Sequence, residues 1–216
     1  MEDLSKVIEY TAVKFGTTTG DVRSLCKQAI MNNYRAVCVN SGFVKICYEE
    51  LRKHPEVLII STAGFPTGAS SNEAKIFEAI RAAERGAKEI DFVPNIGLLK
   101  DRKDKELREE IKGVVRNTAG IADVKIIVEA PVLTPEELVR ICTISAEEGA
   151  AYIKTATGFN GDTTVDMVKN IKKIVGSKCK IKAAGGIKDA ATVREMLKAG
   201  ADVIGTSTLI KFDDEE

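Results

Sequence analysis

The chain has 216 residues, 44% of them hydrophobic, with 32 Lys and Arg balanced by 32 Asp and Glu and a single histidine, His54. That composition supplies one large core but not two comfortable ones, so a single domain over 1–216 is expected, and a net charge of zero gives no field to hold nucleic acid or an anionic membrane. One histidine leaves little on which to build a His-based zinc site or a Ser-His-Asp triad, and no run of about 18 apolar residues is present to span a membrane.

In chain order, MEDLSKVIEY lacks a basic segment followed by an apolar run, so it does not read as an export signal. Strand-length apolar runs then recur at 8–13, 35–40, 57–62, 89–93, 124–129, 151–155, 179–183 and 202–206. Segments of helical period lie between them, among them DVRSLCKQAIMNN, SSNEAKIFEAIRAAERG, TPEELVRICTISAEEG and DAATVREMLKAG. ERGAKEIDFV, EEGAAYIKTA and LKAGADVIGTS echo one another, each ending a helix in Gly-Ala before a strand, with Gly86, Gly149 and Gly200 placed as left-handed caps. Eight strand-helix units of about 27 residues predict an α/β fold, the TIM (β/α)8 barrel. An open doubly wound sheet is the alternative, but no G-x-G-x-x-G follows the first strand. The run KDRKDKELREEIK reads as a solvated helix face, the terminal DDEE as a frayed tail, and the helix after the eighth strand must be short. Cys26, Cys38, Cys47, Cys142 and Cys179 are odd in number and never in C-x-x-C spacing, which reads as reduced thiols in a cytoplasmic protein.

The barrel gives a place to the lysine in AYIKTATGF. Active sites in such barrels lie at the C-terminal ends of the strands, and Lys154 falls late in the sixth. One unit later KIKAAGGI puts Lys182 late in the seventh, and neighbouring parallel strands stand about 4.8 Å apart. Two amines at one level disfavour each other's charge, and partial burial adds to this, leaving some free base to attack a carbonyl. Asp91 interrupts the apolar run of the fourth strand, where a carboxylate opposite two lysines can hold a proton-shuttling water. Gly185 and Gly186 follow the seventh strand, and Gly205, Ser207 and Thr208 follow or end the eighth, where exposed backbone N–H groups commonly form a phosphate site.

Seven ordered segments, VCVNSGFV, AGFPTG, EIDFVPNIG, VEAPVLT, IKTATGF, KAAGGI and GTST, carry a resemblance to the deoxyribose-phosphate aldolases, class I aldolases on a TIM barrel, over nearly the whole chain. The resemblance implies that Lys154 forms a Schiff base, that Asp91 and Lys182 assist proton transfer, and that Thr157, Gly158, Gly185, Gly186, Gly205, Ser207 and Thr208 line the substrate and its phosphate. It implies cleavage of 2-deoxy-D-ribose 5-phosphate to acetaldehyde and D-glyceraldehyde 3-phosphate, as part of deoxyribonucleotide and carbohydrate breakdown, without metal or organic cofactor. Where the family carries Asp-His-Thr or Asp-Leu-Thr in the first strand, this chain has Glu9, Tyr10 and Thr11; Thr11 carries over as a substrate residue, while the longer Glu9 puts affinity or aldehyde specificity in question. Asn40-Ser41 and Ala130 also depart from the family pattern. Two other readings stand beside this one: another Schiff-base barrel aldolase, and a sugar-phosphate-binding barrel impaired in catalysis. A homodimer or higher homo-oligomer is left open.

Overall fold

The computed structural model describes residues 3–212, so the acidic 213–216 segment lies outside the described residues. The described chain contains eight parallel strands: β1 (Ile8–Ala12), β2 (Ala36–Asn40), β3 (Leu58–Ala63), β4 (Glu89–Phe92), β5 (Asp123–Ile127), β6 (Tyr152–Lys154), β7 (Lys180–Ala184) and β8 (Val203–Thr206). They are ordered β1 to β8 in a closed barrel, with β8 pairing back to β1 through Ile8 with Ile204 and Glu9 with Gly205. This is the TIM barrel expected from the eight apolar runs, and each run contains most of one strand.

The outer layer is α1 (Thr19–Met31), α2 (Val44–Leu51), α3 (Asn72–Glu84), α4 (Ile96–Lys100), α5 (Asp104–Thr118), α6 (Pro135–Glu147), α7 (Val165–Val175) and α8 (Ala190–Lys198). Local chemistry starts these helices where the barrel needs them. Thr18 with Asp21 and Thr134 with Glu137 form reciprocal capping boxes at α1 and α6, the second followed by Pro135 at the first helical position. Gly86, Gly149 and Gly200 have φ of +116°, +87° and +111°, conformations open to glycine at little cost.

Two expectations are corrected here. The charge run at 100–112 is not one solvated face: Arg102, at φ +58°, helps break it into α4 and α5, and Glu110 is only 3% exposed. No helix follows β8 among the described residues. Residues 207–212 run without regular structure, and the chain there is tied inward, with buried Ile210 accepting a hydrogen bond at its carbonyl from the Tyr34 hydroxyl at 2.7 Å. No helix among the described residues is long and apolar enough to cross a membrane. The five cysteines are all buried and free. His54 sits on the loop between α2 and β3, paired with Glu56 at 3.1 Å.

Candidate active site

Strand pairing puts Lys154 of β6 directly beside Lys182 of β7, and Thr62 of β3 beside Asp91 of β4. Because the barrel interior is narrow, side chains from non-adjacent strands meet. The amines of Lys154 and Lys182 both donate to Asp91 Oδ2, at 2.8 and 2.7 Å. Asp91 and Lys182 are fully buried, and Lys154 is 3% exposed. Cys38 Sγ of β2 lies 3.6 Å from the same carboxylate oxygen.

The electrostatics differ from the simple like-charge argument. Burial alone would lower the Lys182 amine, but Asp91 and Glu9 outweigh it and hold the amine well above the ordinary lysine value. Burial likewise opposes the Asp91 carboxylate, yet Lys154, Lys182 and Lys125 drive its pKa far below the usual range. The Cys38 thiol moves the other way, pushed up to about 12 by burial and by Asp91, so it is a neutral wall rather than a nucleophile near neutral pH. The close pair is therefore asymmetric: Lys182 is a fixed cation, and it is Lys154 that borders the cavity.

That cavity, of about 140 Å³, opens at the C-terminal ends of β6, β7, β8 and β1. Lys154 lines it, with Thr11, Thr157, Gly158, Gly185, Gly186, Gly205, Ser207 and Thr208. Asp91 and Lys182 do not line it and lie in the layer beneath. Thr157 is fixed through its own N–H, which reaches both Glu129 carboxylate oxygens at 3.2 and 3.3 Å, and Thr11 Oγ1 donates to the Glu9 carbonyl at 3.0 Å. The Thr208 N–H is already given to Thr206 Oγ1 at 3.0 Å, which leaves its side chain as the group free to meet a ligand. Gly205 also makes room for the layer beneath, because a Cβ there would stand 2.8 Å from Lys182 Cε and only glycine lets that lysine pass behind β8. Phe65 forms an edge-to-face pair with Phe159, centroids 5.5 Å apart, and its ring centroid lies 5.7 Å from the Lys154 amine.

Two residues were not singled out from sequence, and a third was singled out but lies away from the cavity. Lys14 and Lys188, both exposed, line the cavity and add positive charge beside the glycine turns. Glu9, whose extra methylene put affinity or aldehyde specificity in question, does not line the cavity; it is fully buried below, with Oε2 at 2.5 Å from Lys182 and Oε1 at 2.6 Å from Lys125. A basic residue after Gly-Gly-Ile was a readable signal for Lys188, but nothing local in sequence points Glu9 inward.

A parallel barrel with a lysine at the floor of its mouth and a second lysine on the same aspartate is the framework of an aldolase of the (β/α)8 type, and comparison with known proteins agrees. The model of the DeoC/LacD family aldolases matches residues 7–211, and the chain belongs to that family. It is 42% identical over 213 residues to the deoxyribose-phosphate aldolase of Natranaerobius thermophilus, covering 98% of this chain and 96% of the relative. Among solved structures, "QR15, an Aldolase" superposes with a TM-score of 0.91 at 36% identity, covering 97% of this chain and 93% of that one. The tetrameric deoxyribose phosphate aldolase of Aeropyrum pernix superposes with a TM-score of 0.89 at 29% identity, covering 95% and 87%.

Proposed function

We propose that this barrel, a single domain over 1–216, reversibly cleaves 2-deoxy-D-ribose 5-phosphate through a Schiff base on Lys154. The observation that carries the reading is the position of that amine: at the cavity floor, nearly buried, within 2.8 Å of a carboxylate and directly beside a second lysine. The free amine of Lys154 adds to the C1 aldehyde, and loss of water gives an iminium. A water held by Asp91 takes the C3 hydroxyl proton as the C2–C3 bond breaks and its electrons pass to the iminium nitrogen. D-Glyceraldehyde 3-phosphate departs, the remaining enamine is protonated at C2, and water releases acetaldehyde and restores the amine. Among the described residues Asp91 Oδ1 has no donor, which suits it to that water, while Oδ2 is occupied by the two lysines. The iminium is itself the electron sink, so no metal or cofactor enters the scheme.

The mouth supplies binding energy away from the reacting bond. Gly158, Gly185, Gly186, Gly205, Ser207 and Thr208 offer backbone and hydroxyl groups to the phosphate, Lys14 and Lys188 offer charge, and a clamped phosphate orients C2–C3 over the amine. Five buried thiols without a disulfide suit the reducing cytoplasm. By likeness to the tetrameric relative, a homo-oligomer is the assembly to test by light scattering.

The decisive experiment is borohydride reduction in the presence of acetaldehyde or the sugar phosphate, followed by mass mapping. The adduct is expected on Lys154, and Lys154→Ala is expected to fold and to lose aldol turnover. Adduct on Lys182 alone would reverse the roles, and preference for pyruvate or dihydroxyacetone phosphate over acetaldehyde as donor would mark a different Schiff-base aldolase. No adduct with retained sugar-phosphate binding would mark a barrel that binds without catalysis.

A further inference from the structure

Below the cavity the ion pairs continue through the barrel to its opposite end. Lys182 sits between Asp91 Oδ2 at 2.7 Å and Glu9 Oε2 at 2.5 Å. Lys125 of β5 sits between Glu9 Oε1 at 2.6 Å and Glu89 Oε2 at 2.5 Å. Arg35, which precedes β2, closes the series by donating to Glu9 Oε1 at 2.5 Å and pairing with both oxygens of Glu89. Among the described residues this connected set holds four cations, Lys154, Lys182, Lys125 and Arg35, and three carboxylates, Asp91, Glu9 and Glu89.

We propose that Arg35 is a positioning residue for the catalytic amine: from the far end of the barrel it completes a buried charge set that is neutral only when Lys154 has given up its proton. This rests on the reading of Lys154 as the nucleophile. Uncompensated charge is costly in an interior where water cannot solvate it. Arg35 keeps its proton at any relevant pH. Lys182 and Lys125 each lie between two carboxylates. Among the described residues Lys154 reaches only one carboxylate oxygen, which it shares with Lys182, and it alone of the three lysines lines the cavity. The excess proton is therefore most easily lost from Lys154, and Arg35 is what makes it an excess.

The neighbouring groups do not alter the count. Cys38 faces Asp91 as a neutral thiol. The Tyr152 hydroxyl is 3.4 Å from Arg35, and burial and Glu89 raise its pKa, so it too is neutral. Lys180 lies over the Tyr152 ring at 5.5 Å but is exposed and screened by solvent. Glu129 spends its carboxylate on the Thr157 N–H and makes no ion pair with these lysines among the described residues.

The test is the pH dependence of cyanoborohydride trapping of acetaldehyde on Lys154, read by mass spectrometry of the modified peptide. Arg35→Met leaves three carboxylates facing three lysines, so Lys154 holds its proton longer and the trapping midpoint rises. A unit charge acting through an effective dielectric of about 20 across part of the barrel moves it on the order of one pH unit. Arg35→Lys keeps the charge and the wild-type midpoint. Glu89→Gln removes an anion instead and lowers the midpoint, and the double variant Arg35→Met/Glu89→Gln, with the same excess of one cation as the wild type, returns it to wild type. A purely structural role for Arg35 predicts the opposite for the double variant, which would be worse than either single change. An unmoved midpoint in Arg35→Met, or shifts of one sign in both single variants, overturns the proposal. If Arg35→Met does not fold, the downward shift in Glu89→Gln and the restored midpoint of the double variant decide it. Absence of any Lys154 adduct in the wild-type protein would instead reject the Schiff-base reading, so the two failures are distinct.

Discussion

The described residues hold two buried ionic clusters, and they differ in their charge count. Lys75 of α3, 1% exposed, pairs with Glu110 of α5 and donates to the Gly68 carbonyl at 2.6 Å and the Val93 carbonyl at 3.2 Å; Glu110 Oε2 accepts the Asn95 N–H at 2.8 Å. One cation meets one anion, and every bond ties down a loop that follows β3 or β4. The set inside the barrel also pairs buried lysines with carboxylates, adding Arg35 and Asp91, but it has one cation too many, and it ends at a cavity. A matched pair holds two loops in place and has no proton to release. An unmatched set is less comfortable as a buried structure, and under the proposal above the charge balances once the amine assigned as nucleophile gives up its proton.

The largest effect that separates the two clusters is expected from Lys182→Leu. Without this cation Asp91 keeps only Lys154, the barrel set becomes neutral with Lys154 protonated, and the trapping midpoint rises. The sign follows from the balance: removing positive charge near an amine favours its protonated form, so more alkaline solution is needed to expose the free base. Turnover is expected to fall further than trapping does, by about 10²- to 10⁴-fold, because the proposed scheme has Lys182 and Asp91 together manage the proton at C3 and C2. Comparing kcat with the trapping rate across pH checks both statements, and a lower or unchanged midpoint would remove Lys182 from control of the nucleophile.

Lys75→Met is the matching change in the balanced cluster and acts on stability. It leaves Glu110 buried without its cation, at a cost of about 3–5 kcal/mol measurable in urea unfolding. The trapping midpoint of the folded protein should stay at the wild-type value, since the barrel set is untouched. A shifted midpoint would show that the loops carrying Phe65 and Pro94 transmit charge or geometry to Lys154, and the contrast between the clusters would fail.

The same contrast explains what was legible in the sequence. The strands were, because parallel strands buried on both faces read as continuous apolar runs. Lys154, Lys182 and Asp91 were, because each breaks such a run late in a strand. Glu110 was not, since it sits in a run of alternating charges where an exposed neighbour looks the same. Glu9, Arg35, Lys125 and Glu89 each have a bland local explanation, and they become one object only when the barrel closes: Arg35 is 26 residues from Glu9, and Lys125 is 116. Counting charge inside a barrel requires knowing which residues point inward together, and separation along the chain does not carry that. Glu9 acquires a meaning in the same way, as the one carboxylate of the set that touches Lys182, Lys125 and Arg35 at once.

The smallest expected effect lies outside both clusters, at the exposed rim. Lys188 follows the glycine turn after β7 and lines the cavity, but water surrounds it, so its charge is screened and worth little. Lys188→Ser should raise KM for 2-deoxy-D-ribose 5-phosphate by about two- to fivefold at low ionic strength, and raising the salt should shrink the difference. It should leave kcat and the trapping midpoint alone, because no buried charge has changed. Deoxyribose lacking the phosphate supplies the control: its slow turnover should be the same in the variant and the wild type. An equal loss with both sugars would mean that Lys188 acts by shaping the turn that carries Gly185 and Gly186, since a group that attracts the phosphate by charge alone cannot affect a substrate that has none.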